Sequence, residues 1–170
     1  NFLEYEMSRT GEGAGDVLNA IEALMELNEL NKVYLSGGGG GKDERFWDLS
    51  LRRFMSRNIA TLRLAGEEIG IINMRRLATD CFKGAQADRY QALEAQAFNE
   101  KIDPIKKKQA SEQLEEWITS NYFLRMLLSI EPKTKEEQEE MELLLNYWLK
   151  EFPKIGERAS NIIMESFMGI

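Results

Sequence analysis

The stretch "DERFWDLSLRRFMSRNIATLRLAGEEIGII", residues 43–72, carries the strongest periodic signal in the chain. Its apolar residues recur at steps of three and four, which is the spacing of one face of an α-helix. Asp43 is a good N-cap, and Gly66 and Gly70 interrupt the pattern at a spacing of four. The stretch predicts a long amphipathic helix over residues 43–82, broken near Gly66. Its expected inward stripe is Trp47, Leu51, Met55, Ile59, Leu62, Ala65, Ile69 and Ile72.

The rest of the chain also favours helix over strand. Only three prolines occur, and β-branched residues are scattered among strong helix formers. Further helices are predicted over residues 16–35, 88–102, 103–130 and 134–152, with a last one after Pro153. Asp103 and Pro104 mark one helix start, and Thr134 with Glu137 forms a capping box at another. Because short connections favour antiparallel neighbours, the sequence predicts an all-α fold, a helical bundle of about five to seven mostly antiparallel helices.

Five consecutive glycines, residues 37–41, separate the first predicted helix from residues 42–170. Each glycine costs about 1 kcal/mol relative to alanine inside a helix, so the run belongs to no packed element. As a coil it spans about 12 Å, so the helices that flank it have to lie close together. Natural loops usually mix glycine with residues that fix a turn geometry. We therefore interpret residues 37–41 as an engineered linker, with a natural low-complexity loop as the alternative.

Residues 1–36 contain the first predicted helix, which is amphipathic. Isolated helices of this length are marginal in water, so its apolar face has to dock on another surface. Three origins fit this segment: a partner's helix fused ahead of the domain that binds it, a terminus of the domain moved by circular permutation, or one more core helix of a single polypeptide. As a partner helix, its expected anchors are Leu18, Ile21, Leu24, Met25 and Leu27.

Composition narrows the classes of function. A chain of 170 residues with one cysteine can build a core without a disulfide, which predicts a reducing compartment and a cytoplasmic protein. No apolar run approaches 18 residues, so no membrane partner is expected. The net charge of −7 disfavours nonspecific binding to nucleic acid. Histidine, the commonest metal ligand and near-neutral acid or base, does not occur in the sequence. We therefore expect a protein that is not an enzyme and that uses no cofactor or metal.

Arginines cluster on the strongest predicted helix, opposite its apolar stripe. The guanidinium group suits carboxylate or phosphate, so this face is a candidate charged surface for a partner. Side chains that are solvated or paired within the chain are the simpler interpretation, and nucleic-acid binding is a further alternative. The residues concerned are Arg45, Arg52, Arg53, Arg57 and Arg63.

Two other charged runs open predicted helices. The glutamates of "KEEQEEME", residues 135–142, could hold Mg²⁺ if Glu112, Glu115 and Glu116 faced them from a second helix. Their place in a first turn, where negative charge is favourable, explains them more simply. The lysines at residues 106–108 stand in a first turn where positive charge is unfavourable, and only an acidic contact would account for them.

These observations predict a non-enzymatic helical protein–protein interaction domain, of the assembly or adaptor kind, that receives an amphipathic helix. In this chain the helix would be tethered by the glycine linker. The alternative is a regulatory helical domain associated with nucleic acid through the arginine-rich helix 45–63. An Mg²⁺-dependent all-α nucleotide hydrolase is the least favoured hypothesis.

Overall fold

A computed structural model describes residue 19, residues 21–26, residue 29 and residues 42–169 of the chain. The predicted all-α fold is confirmed: these residues form helices and their connections, and no strand occurs among them. Residues 21–26 are helical. The α-helices that follow are α1 Lys42–Leu64, α2 Ile71–Asp80, α3 Gln86–Ala97, α4 Pro104–Ser120, α5 Tyr122–Ser129, α6 Lys135–Asn146 and α7 Glu157–Met168. A π-helical turn, Tyr147–Glu151, and a 3-10 turn, Phe152–Lys154, join α6 to α7.

Helix α1 is the central element of the bundle. It packs against α2, α5, α6 and α7. Leu51, Met55, Ile59 and Leu62 of the predicted stripe are buried. Phe54 and the polar Asn58 and Thr61 are also fully buried, so α1 is covered over more of its circumference than one stripe. Each buried polar residue forms a hydrogen bond: the Asn58 amide donates to the Met74 carbonyl at 2.9 Å, and Thr61 donates to the Arg57 carbonyl at 2.7 Å.

The break expected near Gly66 is confirmed, and it changes which residues face inward. Helix α1 ends at Leu64, and Gly66 adopts a φ of 73°, a left-handed conformation that glycine reaches without a Cβ penalty. The chain then re-enters helix at Ile71. The helical phase is lost across this turn. Ile72, predicted to face inward, is consequently 71% exposed, and that prediction was wrong.

The helix predicted over residues 103–130 is two helices. Its start is confirmed, because Asp103 accepts a hydrogen bond from the Ile105 N–H at 3.0 Å. It is interrupted at Asn121, whose side chain caps α5 by accepting from the Leu124 N–H at 2.8 Å. The same side chain donates to the Asp80 carbonyl at 3.0 Å, and the Asp80 carboxylate accepts from the Tyr122 N–H at 2.7 Å. Hydrogen bonds to the end of α2 thus fix a break that periodicity does not reveal.

The start of α6 is confirmed as well. Thr134 Oγ1 accepts from the Glu137 N–H at 3.1 Å, and the Glu137 carboxylate accepts from the Lys133 N–H at 2.7 Å. The π-helical turn that follows buries Tyr147 and Trp148, and the Trp148 indole N–H donates to Thr61 Oγ1 at 3.0 Å. Phe54 of α1 lies at the centre of an aromatic cluster. Its ring contacts the rings of Trp148 in the π-helical turn, Phe152 in the 3-10 turn and Phe167 in α7.

Candidate helix-binding site

Three of the five predicted anchors are buried in the core of the chain. Ile21, Leu24 and Met25 are 4%, 3% and 3% exposed, and they belong to the same apolar cluster as the residues of α1. Their spacing of three and four places them on one face of the helical residues 21–26. The other two predicted anchors, Leu18 and Leu27, lie outside the described residues.

The opposite face of this segment is polar. Asn19, Glu22, Glu26 and Glu29 are all exposed. A helix with buried residues on one side and exposed acids on the other is amphipathic in the way that helix-in-groove recognition requires. The sequence pattern of the segment and its burial therefore agree over residues 21–26.

An ion pair joins the segment to α1. The Arg52 guanidinium donates to both carboxylate oxygens of Glu22, one Nη atom to Oε1 and the other to Oε2, the latter at 3.2 Å. The two side chains are 37% and 56% exposed, so solvent screens the pair and its contribution to stability is about 0.2–1 kcal/mol. Two parallel hydrogen bonds also constrain direction. The pair therefore contributes more to the register of the segment on α1 than to its affinity.

The apolar cluster that the segment joins is formed chiefly by α1 and its neighbours. Leu51, Phe54 and Met55 of α1 are at most 2% exposed, and Phe167 of α7 is fully buried. Aromatic rings back this region, since Phe54 lies 5.6 Å from Phe167, centroid to centroid. We call Leu51, Phe54, Met55 and Phe167, which belong to the same buried cluster as Ile21, Leu24 and Met25, the apolar seat.

The five arginines predicted as a charged surface do not form one free patch. Arg52 is paired with Glu22, Arg53 lies 2.7 Å from Glu151, and Arg63 is paired with Glu140. Arg57 stands 5.9 Å from the centroid of the Tyr147 ring, over its face, and Arg45 is exposed. Four of the five thus face acids or an aromatic ring of the same chain. A phosphate group would have to compete with these carboxylates, so the arrangement gives little support to nucleic-acid binding.

Two of the α6 glutamates considered as Mg²⁺ ligands are engaged within the chain. Glu137 accepts a hydrogen bond from the Lys133 N–H at the start of the helix, and Glu140 pairs with Arg63. Among the described residues, no group of three or more carboxylate or thiol side chains is placed to hold a metal ion.

Cys81 is buried at the C-terminus of α2. It is 1% exposed, and its Sγ lies 3.3 Å from the Ala78 carbonyl oxygen. Burial raises the pKa of the thiol from 9.0 to about 12, because the thiolate would lose its hydration. The side chain is therefore a neutral core residue at physiological pH.

A polar cleft between α3 and α4 was not predicted. It has a volume of about 360 Å³ and is lined by Gln86, Arg89, Gln113, Glu116, Trp117 and Ser120. The Arg89 guanidinium lies 5.0 Å from the Trp117 centroid, over the face of the ring, so the largest aromatic surface in the cleft is already covered. No periodic or compositional signal marks these residues, because they are brought together by the packing of one helix against the next.

Comparisons with known protein families, with curated proteins and with solved structures find no match to this chain. Across the part of the chain that the structure describes, no helix is both long enough and apolar enough to cross a membrane.

Proposed function

We propose that residues 42–169 form a non-enzymatic helical interaction domain, of the assembly or adaptor kind, that receives an amphipathic helix from a protein partner. In this chain the helical residues 21–26 occupy that site, and the glycine linker tethers them to it. The observation that carries the proposal is the burial of Ile21, Leu24 and Met25 in the core, with exposed acids on the other face of the segment.

Energetics are consistent with a helix that binds reversibly. Burying three large apolar side chains gains about 1.5–3 kcal/mol each, or about 5–9 kcal/mol in all. Association of two free molecules costs about 4–15 kcal/mol in lost translational and rotational freedom. A free peptide would therefore bind weakly through these anchors alone. A short flexible linker raises the local concentration of the segment to the millimolar range and turns such a contact into a stable one.

The ion pair supports the same proposal. Glu22 lies on the polar face of the segment, and Arg52 lies on the partner-facing side of α1 beside the apolar seat. A partner helix with a carboxylate one residue after its first buried anchor, as Glu22 follows Ile21, would be preferred over one with lysine there. The natural partner of residues 42–169 is thus expected to present an acidic amphipathic helix.

The test uses the full chain with a protease recognition sequence inserted between Gly39 and Gly40. After folding and cleavage, a fluorescein-labelled peptide of residues 16–36 is added and its anisotropy is followed. We expect the labelled peptide to exchange with the cleaved segment and to give a measurable Kd. After the cleaved segment has dissociated on dilution, residues 40–170 should keep a helical far-UV circular dichroism spectrum.

Two matched peptides sharpen the result. A Leu24→Asp peptide should fail to bind, because it places a charge in the apolar seat. A Glu26→Ala peptide, changed at an exposed position, should bind as the parent does. Unfolding of residues 42–170 as the segment leaves would instead favour a single domain, or a permuted one, in which residues 21–26 are an ordinary core helix.

A further inference from the structure

The hairpin of α3 and α4 ends in a projecting tip. Ala97 and Ala110 are buried, but none of residues 98–109, which we call the hairpin tip, is buried. Two of its apolar side chains face solvent: Phe98 is 75% exposed and Ile105 is 67% exposed. Single exposed apolar residues are ordinary, but two large ones flanking the same short turn form a candidate contact surface.

The hairpin tip is basic in a chain that is acidic overall. It contains four lysines, Lys101, Lys106, Lys107 and Lys108, against Glu100 and Asp103, whereas the whole chain has a net charge of −7. Lys106 and Lys107 stand in the first turn of α4, where the helix dipole disfavours positive charge. Only Lys108 has a carboxylate of its own helix within reach, Glu112 at 4.0 Å. An acidic surface on another molecule, or on another part of the chain, would explain why lysines occupy a position where they destabilise the helix.

The chain itself carries a surface of the opposite kind on α6. Glu136, Glu139 and Glu142 are exposed, and so is Leu143, at 55%. Their spacing of three and four places them along one side of the helix, which we call the acidic face. Glu137 and Glu140 are engaged within the chain and do not belong to it. The acidic face thus combines negative charge with an apolar side chain, as the hairpin tip combines positive charge with two.

We propose that the hairpin tip of one copy docks on the acidic face of a second copy. The lysines would meet Glu136, Glu139 and Glu142, while Phe98 and Ile105 would pack against Leu143. Because the two surfaces differ, one copy in each contact uses its hairpin tip and the other uses its acidic face. The unused surface of each copy stays free, so association proceeds head to tail. The proposal goes beyond the helix-binding site, since it involves neither residues 21–26 nor the arginines of α1.

Sedimentation velocity of the full chain tests this arrangement. At an ionic strength of about 0.01 M, where the Debye length is about 30 Å, the weight-average mass should rise above 19.6 kDa as the protein concentration increases. At about 0.15 M salt the association constant should be lower. Variant K101E/K106E reverses charge on the hairpin tip, and F98S/I105S removes its exposed apolar side chains. Variant E139K/E142K reverses charge on the acidic face. Each should lower the association constant at least about tenfold, because like charges or lost apolar contact oppose docking.

Mixing the two charge-reversed variants is the decisive step. K101E/K106E has acidic groups on both surfaces and E139K/E142K has basic groups on both, so neither associates with itself but each complements the other. An equimolar mixture should regain an association constant within about threefold of the unmodified chain, since the net charges of the two docked surfaces are again opposite. Ile72→Ser and Lys154→Glu, at exposed positions that belong to neither surface, should leave association unchanged.

Four results would overturn the proposal. The chain could remain monomeric at every concentration, or the tip variants could associate as the unmodified chain does, or the mixture of reversed variants could stay monomeric while each retains its circular dichroism spectrum. Salt-sensitive binding of the monomer to vesicles of phosphatidylcholine with phosphatidylserine, lost in K101E/K106E, would assign the hairpin tip to a lipid surface and would also reject it. The linker-cleavage experiment is unaffected by any of these outcomes, so the two proposals fail separately.

Discussion

Substitution of Leu24 by alanine measures how much the docked segment contributes to the stability of the intact chain. Leu24 is 3% exposed and lies in the core cluster, so the substitution removes buried apolar surface and leaves a cavity. Substitutions of this kind cost about 2–5 kcal/mol. If the segment is a docked partner helix, as proposed, it can shift to fill part of the cavity, so we expect a value near the lower end, about 2–3 kcal/mol. For a chain of this length that lowers Tm by about 4–12 °C.

Urea unfolding followed by circular dichroism gives the free energy of unfolding directly. The midpoint should fall with little change in m, since the same surface is exposed on unfolding. Glu26→Ala is the matched control: it lies on the same helical segment but is exposed, and it should change the free energy of unfolding by less than about 0.5 kcal/mol. If Leu24→Ala costs no more than Glu26→Ala, the segment does not pack on residues 42–169 in solution, and the reasoning fails.

Four further predictions concern the rest of the fold. Trp148→Phe removes the indole N–H that Thr61 Oγ1 accepts, and should cost about 2 kcal/mol in urea unfolding. Gly66→Ala forces an alanine to a φ of 73° with open space around it, so it should cost about 1–2 kcal/mol from backbone strain alone. Lys106→Glu should raise stability by about 0.5–1 kcal/mol, because it puts negative charge in the first turn of α4. Cys81 should react with a thiol reagent at pH 8 only on unfolding. Because burial raises its pKa from 9.0 to about 12, its contribution to stability is present below pH 9 and lost as pH rises toward 12, and Cys81→Ala should flatten that decline in the urea midpoint.

Local sequence signals predicted the features of the fold that depend on neighbouring residues. The capping residues Asp103 and Thr134 begin α4 and α6 where they were expected, because caps act through hydrogen bonds over two or three residues. Leu51, Met55, Ile59 and Leu62 of the stripe predicted on α1 are buried, because their steps of three and four place them on one side of the helix. For the same reason Ile21, Leu24 and Met25 were identifiable as the apolar face of the first helix.

Features that depend on distant residues were not predicted. The break at Asn121 is fixed by hydrogen bonds to Asp80, 41 residues away in the chain. The π-helical turn places Trp148 against Thr61, 87 residues away. Periodicity carries no information on either contact, since both are set by packing between helices. The exposure of Ile72 has a local cause, because the helical phase changes at the Gly66 turn.

The candidate site shows the same division. The sequence predicted an apolar face on the first helix and a row of arginines on α1, yet it could not say which arginines are paired with Glu22, Glu151 and Glu140. It also showed the unfavourable lysines of α4 without showing that Phe98 and Ile105 are exposed beside them. In both cases the sequence shows which residue types are present. Their ion-pair partners and their exposure depend on how the helices pack, which the sequence pattern does not show.

Nuclear Overhauser effects from the methyl groups of Ile21, Leu24 and Met25 would test the docking of the segment most directly. An isotope-filtered experiment on a mixture of labelled and unlabelled chains separates contacts within one chain from contacts between copies. We predict intramolecular effects to the buried side chains of residues 42–169. Methyl groups that show effects only within their own segment, or only to a neighbouring copy, would contradict the tethered helix and with it the proposed interaction domain.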